Sequence, residues 1–202
     1  MPSRKRRIHR SKSNRKPIII VGILVAIIAT AIIVVYSTTP TEQTLTKNKV
    51  LFTTSMGNIT IQLRSDMPIT TGNFRNLVQQ GKYDGTIFHR VIADFMIQGG
   101  QINSSWSSIR DEFSSNNHNI RGTIAMAKTS QPNSATSQFF INVVDNGNRT
   151  TTFDSTYSVF GDILDGMDVV DAISRVVVVE NQYSEVSEPA EDVILIKAEF
   201  VD

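Results

Sequence analysis

Residues 88–100 read FHRVIADFMIQGG, two short apolar runs that end in a glycine pair. Runs of this length and composition are typical of β-strands. Alternate residues of a strand share a face, so His89 and Arg90 point in opposite directions, and Arg90 is expected to emerge beside residues 95–98. A purely structural interpretation is also open, with Arg90 in a surface ion pair and the apolar residues in the core.

The sequence on either side of this segment continues the β-rich pattern. Residues 49–55 and 59–63 flank Met56-Gly57-Asn58, which predicts a β-hairpin with glycine at the turn. The further predicted strands are 86–92, 95–98, 122–128, 138–144, 157–163 and 193–201. The final strand is suited to pair with the first hairpin.

Two segments carry helical signals. Pro68 opens the first, which ends at Gly81, and residues 167–174 form the second. About eight strands and two helices predict a mainly β fold. Because closure removes the exposed edges of a sheet, we expect a closed antiparallel β-barrel.

An uncharged apolar run, IIIVGILVAIIATAIIVVY, occupies residues 18–36. At a rise of about 1.5 Å per residue, a helix of this length nearly crosses the ~30 Å hydrocarbon core of a bilayer. Cleavable signal peptides have shorter apolar regions of about 7–15 residues and a small-residue cleavage site. We therefore expect one N-terminal transmembrane helix that acts as a signal anchor, with removal by a peptidase as the alternative.

Charge is segregated along the chain, although the formal net charge is only +1. Eight of the 20 Lys and Arg residues lie within residues 1–17, and no acidic residue precedes Glu42. The positive-inside rule places this basic tail in the cytoplasm and the body outside, in a single-pass protein of the cell membrane. Nucleic-acid binding or nuclear import by the tail is the less favoured alternative, and we expect no nucleic-acid partner.

The segment after the apolar run, residues 37–47, is polar without a pattern and predicts a flexible linker. The folded domain is expected to span residues 48–202. Three N-x-[ST] sequons, at Asn58, Asn103 and Asn148, are compatible with an extracytoplasmic domain.

Several classes of chemistry are excluded by composition and by motifs. The chain has no cysteine, which excludes disulfides, thiolate metal sites and cysteine nucleophiles. It lacks the H-E-x-x-H, P-loop, G-x-G-x-x-G and G-x-S-x-G motifs. Beyond the tail only His89 and His118 occur, and we expect His89 to be structural. We therefore expect a site without metal or cofactor that uses shape, apolar contacts and one cation.

Two more blocks extend the pattern of residues 88–92 and 95–100. Residues 121–127 read RGTIAMA, and residues 133–142 read NSATSQFFIN. These four blocks, in this order, closely resemble the cyclophilin family of peptidyl-prolyl cis/trans isomerases, and the resemblance covers residues 49–201. It implies an eight-stranded antiparallel barrel capped by two α-helices, a proline site on an outer face, a monomeric catalytic domain and no cofactor.

The resemblance also implies which residues act on proline-containing polypeptides. Arg90 is the catalytic arginine, since an N–H aimed at the amide nitrogen favours the twisted X–Pro bond. The residues assigned to catalysis are Arg90, Phe95, Gln98, Phe140 and Tyr157. Those assigned to substrate binding are Met96, Ala127, Lys128, Gln138 and Phe153. Of all these, the proline pocket consists of Phe95, Met96, Phe140 and Phe153.

Thr152 departs from the family pattern, because it stands where animal cyclophilins carry the tryptophan that contacts cyclosporin. We therefore expect weak cyclosporin binding. Trp106, the only tryptophan, lies in a serine-rich loop, and its sequence position does not make it a substitute. Tyr157 stands where many animal members have histidine.

The function that these features favour is a membrane-tethered prolyl isomerase that assists protein folding on the extracytoplasmic side. The alternative is a non-catalytic proline-peptide binding module or holdase chaperone. A pure binder would not require Arg90, so its presence with Phe95, Gln98 and Phe140 favours the enzyme. A scaffold role in a membrane complex is open alongside either function.

Overall fold

The structure is a computed structural model that describes residues 48–147, 149 and 152–202. The predicted basic tail, transmembrane helix and linker, residues 1–47, lie outside the described part. Within that part, neither helix has the length and apolarity needed to cross a membrane.

The described residues form eleven strands and two helices. The strands are β1 (Lys49–Thr54), β2 (Gly57–Leu63), β3 (Thr86–Ile87), β4 (Arg90–Ile92), β5 (Met96–Gly99), β6 (Thr123–Met126), β7 (Phe139–Asn142), β8 (Val159–Asp165), β9 (Val178–Glu180), β10 (Val186–Pro189) and β11 (Ile194–Val201). The helices are α1 (Pro68–Gln79) and α2 (Met167–Ile173).

Nine of these strands form one antiparallel sheet in the order β3-β11-β1-β2-β8-β6-β7-β5-β4. The predicted hairpin is confirmed as β1 and β2, and the closing strand β11 pairs with β1 as expected. β9 and β10, which the sequence patterns did not predict, form a separate two-stranded sheet. The mainly β fold with two helices is therefore confirmed.

The expected closed barrel of eight strands is not what the described residues form. The nine-stranded order is linear, and no pairing joins its edge strands β3 and β4 within the described part. The predicted single strand 86–92 is instead two strands, β3 and β4, because β3 pairs with β11 and β4 pairs with β5, at opposite edges of the sheet. With only two residues between its edge strands, the sheet is strongly curled. β10 packs beside β4, which covers that edge without closure.

α1 begins at Pro68, as predicted, because proline fixes a helical φ and its missing N–H is not needed in the first turn. The chain leaves the helix through Gly81, which has a φ of +61°. Only glycine adopts this left-handed conformation without strain. Phe74, Leu77 and Val78 on the buried face of α1 pack into the core of the curled sheet.

Alternate residues of the central strands point to opposite faces of the sheet. Ile97, Phe139 and Ile141 belong to the main hydrophobic core. Met96 and Phe140, one residue away in each strand, belong to a second cluster. The period of two along a strand thus places a separate apolar surface on the outer face of the sheet.

Candidate functional site

The second apolar cluster lies where four adjacent strands turn residues outward. β5, β6, β7 and β8 each contribute one buried residue, and the loop before β8 adds another. These buried residues are Met96, Ala125, Phe140, Val159 and Phe153. Ile92, Phe95, Ala127 and Tyr157 pack against them. Because the four strands are hydrogen-bonded neighbours, residues far apart in sequence meet on one surface.

A cavity of about 130 Å³ opens over this cluster. It is lined by Arg90, Phe95, Met96, Gln98, Lys128, Phe140, Phe153 and Tyr157. All eight are among the ten residues predicted for the site. Of the remaining two, Ala127 packs against the cluster, and Gln138 Oε1 accepts a hydrogen bond from Gln98 Nε2 at 2.8 Å. The structure therefore brings all ten predicted residues together.

Four aromatic rings surround the apolar part of the cavity. The rings of Phe140 and Tyr157 are perpendicular with centroids 5.3 Å apart, and those of Phe153 and Tyr157 are 4.7 Å apart. Phe95 contacts Phe153 edge to face at 6.1 Å. Such ring pairs contribute about 0.5–1.5 kcal/mol beyond their buried area, so the rings hold one another in place. The result is a rigid apolar wall suited to a small apolar ring.

Arg90 is the cation at the edge of this wall. In the β4–β5 register it stands opposite Gln98. Its Nη1 lies 3.5 Å from Gln98 Oε1 and 3.9 Å from Met96 Sδ, which places this nitrogen on the cavity side. Its Nε and Nη2 donate to the carboxylate of Glu185 at 2.6 and 2.7 Å. Arg90 therefore forms an ion pair, as the structural interpretation of the sequence suggested, and also lines the cavity.

Glu185 was not predicted from the sequence. It lies between β9 and β10, in a segment without a clear alternating pattern, and 95 residues separate it from Arg90. Hydrogen bonds from Arg90 lower the pKa of Glu185 to about 2 against the opposing effect of burial. Glu185 is therefore ionised at neutral pH, and no motif in the sequence pointed to it.

Lys128 lines another side of the cavity, and Ala127 beside it packs against the apolar cluster. Lys128 Nζ lies 2.6 Å from Asp111 Oδ2, and the two side chains are only 8% and 15% exposed. The Ala127 amide donates to the Gln138 carbonyl at 2.9 Å. The lysine charge is thus paired within the fold, and the use of this backbone by a substrate stays a prediction.

A buried network of side-chain amides holds the loop that carries Phe153 and Tyr157. Asn117 Nδ2 donates to the carbonyls of Asp154 and Tyr157, and its Oδ1 accepts from the Val159 amide at 2.7 Å. The network also includes Asn119, Asn142 and Asn146. These residues were missed, although the Asn-rich run near residue 117 was visible in the sequence. The network fixes two of the aromatic rings of the cavity.

Asp154 is the charged member of this loop. Burial by itself raises the pKa of Asp154. Hydrogen bonds from the Asn119 amide, from His118 and from the Asn119 side chain together lower it by more than burial raises it, so the pKa lies below its ordinary value. The Asn119 amide donates to Asp154 Oδ1 at 2.7 Å. The ionised carboxylate of Asp154 thus binds the loop that carries Phe153 and Tyr157 to the segment at Asn119.

Three residues discussed for the site lie outside the cavity lining. His89 is half-buried, and burial lowers the pKa of its imidazole, which is therefore neutral at pH 7. Trp106 donates from Nε1 to Asn73 Oδ1 at 2.8 Å and packs against the main core. Thr152 is exposed. Among the described residues, no group of three His, Asp or Glu side chains is placed to hold a metal ion.

Comparison with known proteins identifies the family of the chain. The chain matches the family model described as cyclophilin type peptidyl-prolyl cis-trans isomerase/CLD over residues 49–200. It is 50% identical over 132 residues to a peptidyl-prolyl cis-trans isomerase of Acinetobacter baylyi, covering 61% of this chain and 70% of that protein. It is 43% identical over 157 residues to peptidyl-prolyl cis-trans isomerase B of Escherichia coli, covering 72% and 95%.

The fold is also similar to that of a solved structure. The crystal structure of a cyclophilin type peptidyl-prolyl cis-trans isomerase of Cryptosporidium parvum, in the presence of the dipeptide Ala-Pro, superposes with a TM-score of 0.65 at 25% identity. The match covers 76% of this chain and 99% of the other. With the family model matching most of its length, the chain belongs to the cyclophilin family and is a peptidyl-prolyl cis-trans isomerase.

Proposed function

We propose that the cavity beside Arg90 binds the proline of an X–Pro segment and that Arg90 stabilises its twisted amide. The observation that carries this proposal is that Nη1 of Arg90 lies at the edge of an aromatic cavity of about 130 Å³. The dipeptide named with the Cryptosporidium parvum structure supports an Xaa-Pro unit as the ligand. In this proposal Phe95, Met96 and Phe140 hold the ring, with Phe153 closing the pocket.

The barrier to be lowered comes from conjugation in the amide. An X–Pro bond resists twisting by ~18–20 kcal/mol and exchanges in tens of seconds or longer. Acceleration to milliseconds needs a factor of about 10⁴–10⁵, which corresponds to about 5.5–7 kcal/mol of transition-state stabilisation. No covalent intermediate or proton transfer is required.

Arg90 is suited to supply part of this stabilisation. When the bond twists, the lone pair of the proline nitrogen leaves conjugation and becomes a hydrogen-bond acceptor. An N–H of Nη1 aimed at that nitrogen stabilises the twisted state over both planar states. The apolar wall excludes water, which strengthens the interaction with the guanidinium. The hydrogen-bonded pair Gln98 and Gln138 offers polar groups to the flanking peptide.

We test this mechanism with the purified full chain in detergent micelles. Exchange of an X–Pro peptide is followed by NMR and by a protease-coupled assay, for the unmodified chain and for Arg90→Ala. Activity is expected to fall at least about a hundredfold in the variant, because the hydrogen bond is made only in the twisted state. Circular dichroism checks that the fold survives.

Two outcomes would contradict the mechanism. Full activity in Arg90→Ala would remove Arg90 from catalysis. Peptide binding without acceleration by the unmodified chain would support the alternative of a proline-peptide binding module or holdase. Arg90→Lys is expected to restore little activity, because an ammonium lacks the planar fork of the guanidinium.

We further propose that residues 18–36 anchor the isomerase in the cell membrane, with the basic tail in the cytoplasm and the domain on the extracytoplasmic side. The uncharged run and the eight basic residues before it support this topology. An enzyme held there would act on exported or surface proteins while they fold.

The topology is testable because the chain contains no cysteine. Ser3→Cys in the tail and Ser104→Cys on the exposed surface of the domain each introduce one thiol. In intact cells, a membrane-impermeant maleimide is expected to label the Ser104→Cys variant and to spare Ser3→Cys. The opposite pattern, or protection of both thiols, would refute the proposed orientation.

A further inference from the structure

The hairpin of β9 and β10 places a carboxylate on Arg90. Glu185, in the connection between these strands, accepts from Nε at 2.6 Å and from Nη2 at 2.7 Å. This is the two-bond, fork-to-fork arrangement that gives an arginine–carboxylate pair both strength and a defined geometry. The Glu185 side chain is 39% exposed and that of Arg90 is 30% exposed, so the pair lies at the border of the site.

Glu185 is itself held by its own hairpin. The Ser187 hydroxyl donates to Glu185 Oε2 at 2.8 Å, and the Glu185 amide donates to Asn181 Oδ1 at 3.1 Å. Asn181 Nδ2 in turn donates to Ser187 Oγ at 3.1 Å. Two residues of the same hairpin thus hold Glu185, Ser187 at its carboxylate and Asn181 at its backbone amide.

The pair determines which edge of the guanidinium is free. The guanidinium is planar, so engagement of Nε and Nη2 by one carboxylate fixes the orientation of the whole group. The remaining nitrogen, Nη1, lies near Met96 Sδ and Gln98 Oε1, two atoms of cavity-lining residues. Without Glu185, the long side chain of Arg90 would sample several rotamers, and Nη1 would face the cavity for only part of the time.

We propose that Glu185 is a positioning residue of the isomerase, which orients the Arg90 guanidinium so that Nη1 faces the bound proline. The inference rests on the proposed role of Arg90. Ion pairing also reduces the net positive charge beside the amide, an effect that by itself would slow the reaction. Orientation outweighs it, because a directed N–H acts on the twisted amide, whereas unaligned charge acts on planar and twisted states more equally.

The test compares Glu185→Gln with the unmodified full chain in micelles. Glutamine keeps the shape of the side chain but replaces one carboxylate oxygen with an NH2 donor, which cannot accept from Arg90, so the arrangement of one oxygen for each N–H is lost. We expect kcat, measured by NMR exchange, to fall about tenfold, with KM changed less than about twofold, because the proline pocket is untouched. The matched control is Glu180→Gln, an exposed carboxylate on β9 of the same hairpin, which should leave both constants unchanged.

A spectroscopic readout separates positioning from a general loss of structure. The ¹⁵N–¹H signal of Arg90 Nε, assigned by its loss in Arg90→Ala, is expected to shift in Glu185→Gln and to stay in place in Glu180→Gln. A double variant, Arg90→Ala with Glu185→Gln, should match Arg90→Ala within about twofold, since Glu185 acts only through Arg90.

Several outcomes would overturn the inference. Unchanged or increased kcat in Glu185→Gln would mean that orientation is not limiting or that charge neutralisation dominates. An unmoved Arg90 Nε signal would mean that the pair does not form in solution, and a further loss in the double variant would mean that Glu185 acts apart from Arg90. Full activity of Arg90→Ala is a different result, since it refutes the proposed role of Arg90 itself.

Discussion

Arg90 shows how one side chain serves two neighbours. Its Nε and Nη2 bind the Glu185 carboxylate, and its Nη1 lies beside the oxygen of Gln98. Only a planar group with five N–H donors permits such a division, and a lysine ammonium does not. At the scale of single residues, the site therefore depends on the shape of the cation as well as on its charge.

Cyclosporin affinity is expected to be weak because Thr152 is exposed and stands where animal cyclophilins carry a contacting tryptophan. We expect inhibition of the isomerase only at micromolar or higher concentrations, measured in the protease-coupled assay. Thr152→Trp should tighten binding about tenfold or more, since buried indoles are frequent anchors of binding energy. Ser155→Trp, at an exposed position of the same loop, is the control. Nanomolar inhibition of the unmodified chain would refute the expectation.

The strand β5 shows how one short element joins the core to the site. Met96 and Gln98 turn toward the cavity, while Ile97 between them belongs to the main core. Gly100 follows directly with a φ of +73°. A Cβ at this position would lie 2.6 Å from a ring carbon of Phe139, so the end of β5 is packed against the core without room for a side chain.

Gly100→Ala is therefore expected to destabilise the domain by about 2–4 kcal/mol, the sum of left-handed strain and overpacking. Gly85→Ala is the matched control, since Gly85 has a similar φ of +77° but open space around its Cα. Gly85→Ala should lower the free energy of unfolding by only about 1 kcal/mol, because it adds left-handed strain without a steric clash. Urea unfolding followed by fluorescence of Trp106, the single tryptophan, measures both. Equal losses in the two variants would rule out the Phe139 contact as the cause.

Over the whole molecule, several ionisable groups have pKa values that differ from their ordinary values, and they make stability depend on pH. Hydrogen bonds from Arg90 lower the pKa of Glu185 from 4.5 to about 2, and the pKa of Asp171 beside Arg121 is also lowered. Burial lowers the pKa of His89. For each group the unfolded chain binds the proton at a higher pH than the folded chain, so stability falls as the solution is acidified.

We expect the free energy of unfolding to decrease first as pH falls below about 6.5, because His89 takes up its proton at a higher pH in the unfolded chain than in the folded chain. It should decrease again as pH falls from 4.5 toward 2, where Glu185 is protonated first in the unfolded chain. The contribution of the partly exposed Glu185 pair is at most about 1 kcal/mol. Urea unfolding from pH 7 to pH 2 measures both steps.

The unmodified chain and Glu185→Gln should converge in stability as pH approaches 2, because the charged carboxylate is then lost from the unmodified chain as well. Glu180→Gln on the same hairpin should follow the unmodified chain throughout. A constant difference between the unmodified chain and Glu185→Gln at every pH would contradict titration of Glu185 as the cause.

Local sequence determined much of this protein. The hairpin, the start of α1 at Pro68 and the position of Arg90 beside Gln98 depend on neighbours within a few residues, and a period of two in a strand leaves little choice of face. The resemblance to cyclophilins identified ten residues that the structure brings together, eight of them in the lining of one cavity. These features are local in sequence, so a single chain suffices to recognise them.

Only the tertiary structure decided the rest. Glu185 meets Arg90 across 95 residues, and Asn117 reaches the carbonyl of Tyr157 across 40. Residues 86–92 are divided between β3 and β4 because β3 pairs with β11 and β4 pairs with β5, at opposite edges of the curled sheet. Such contacts depend on how distant segments are brought together by the whole fold, and no short-range pattern of polarity encodes them. The carboxylate that pairs with Arg90 therefore became visible only in three dimensions.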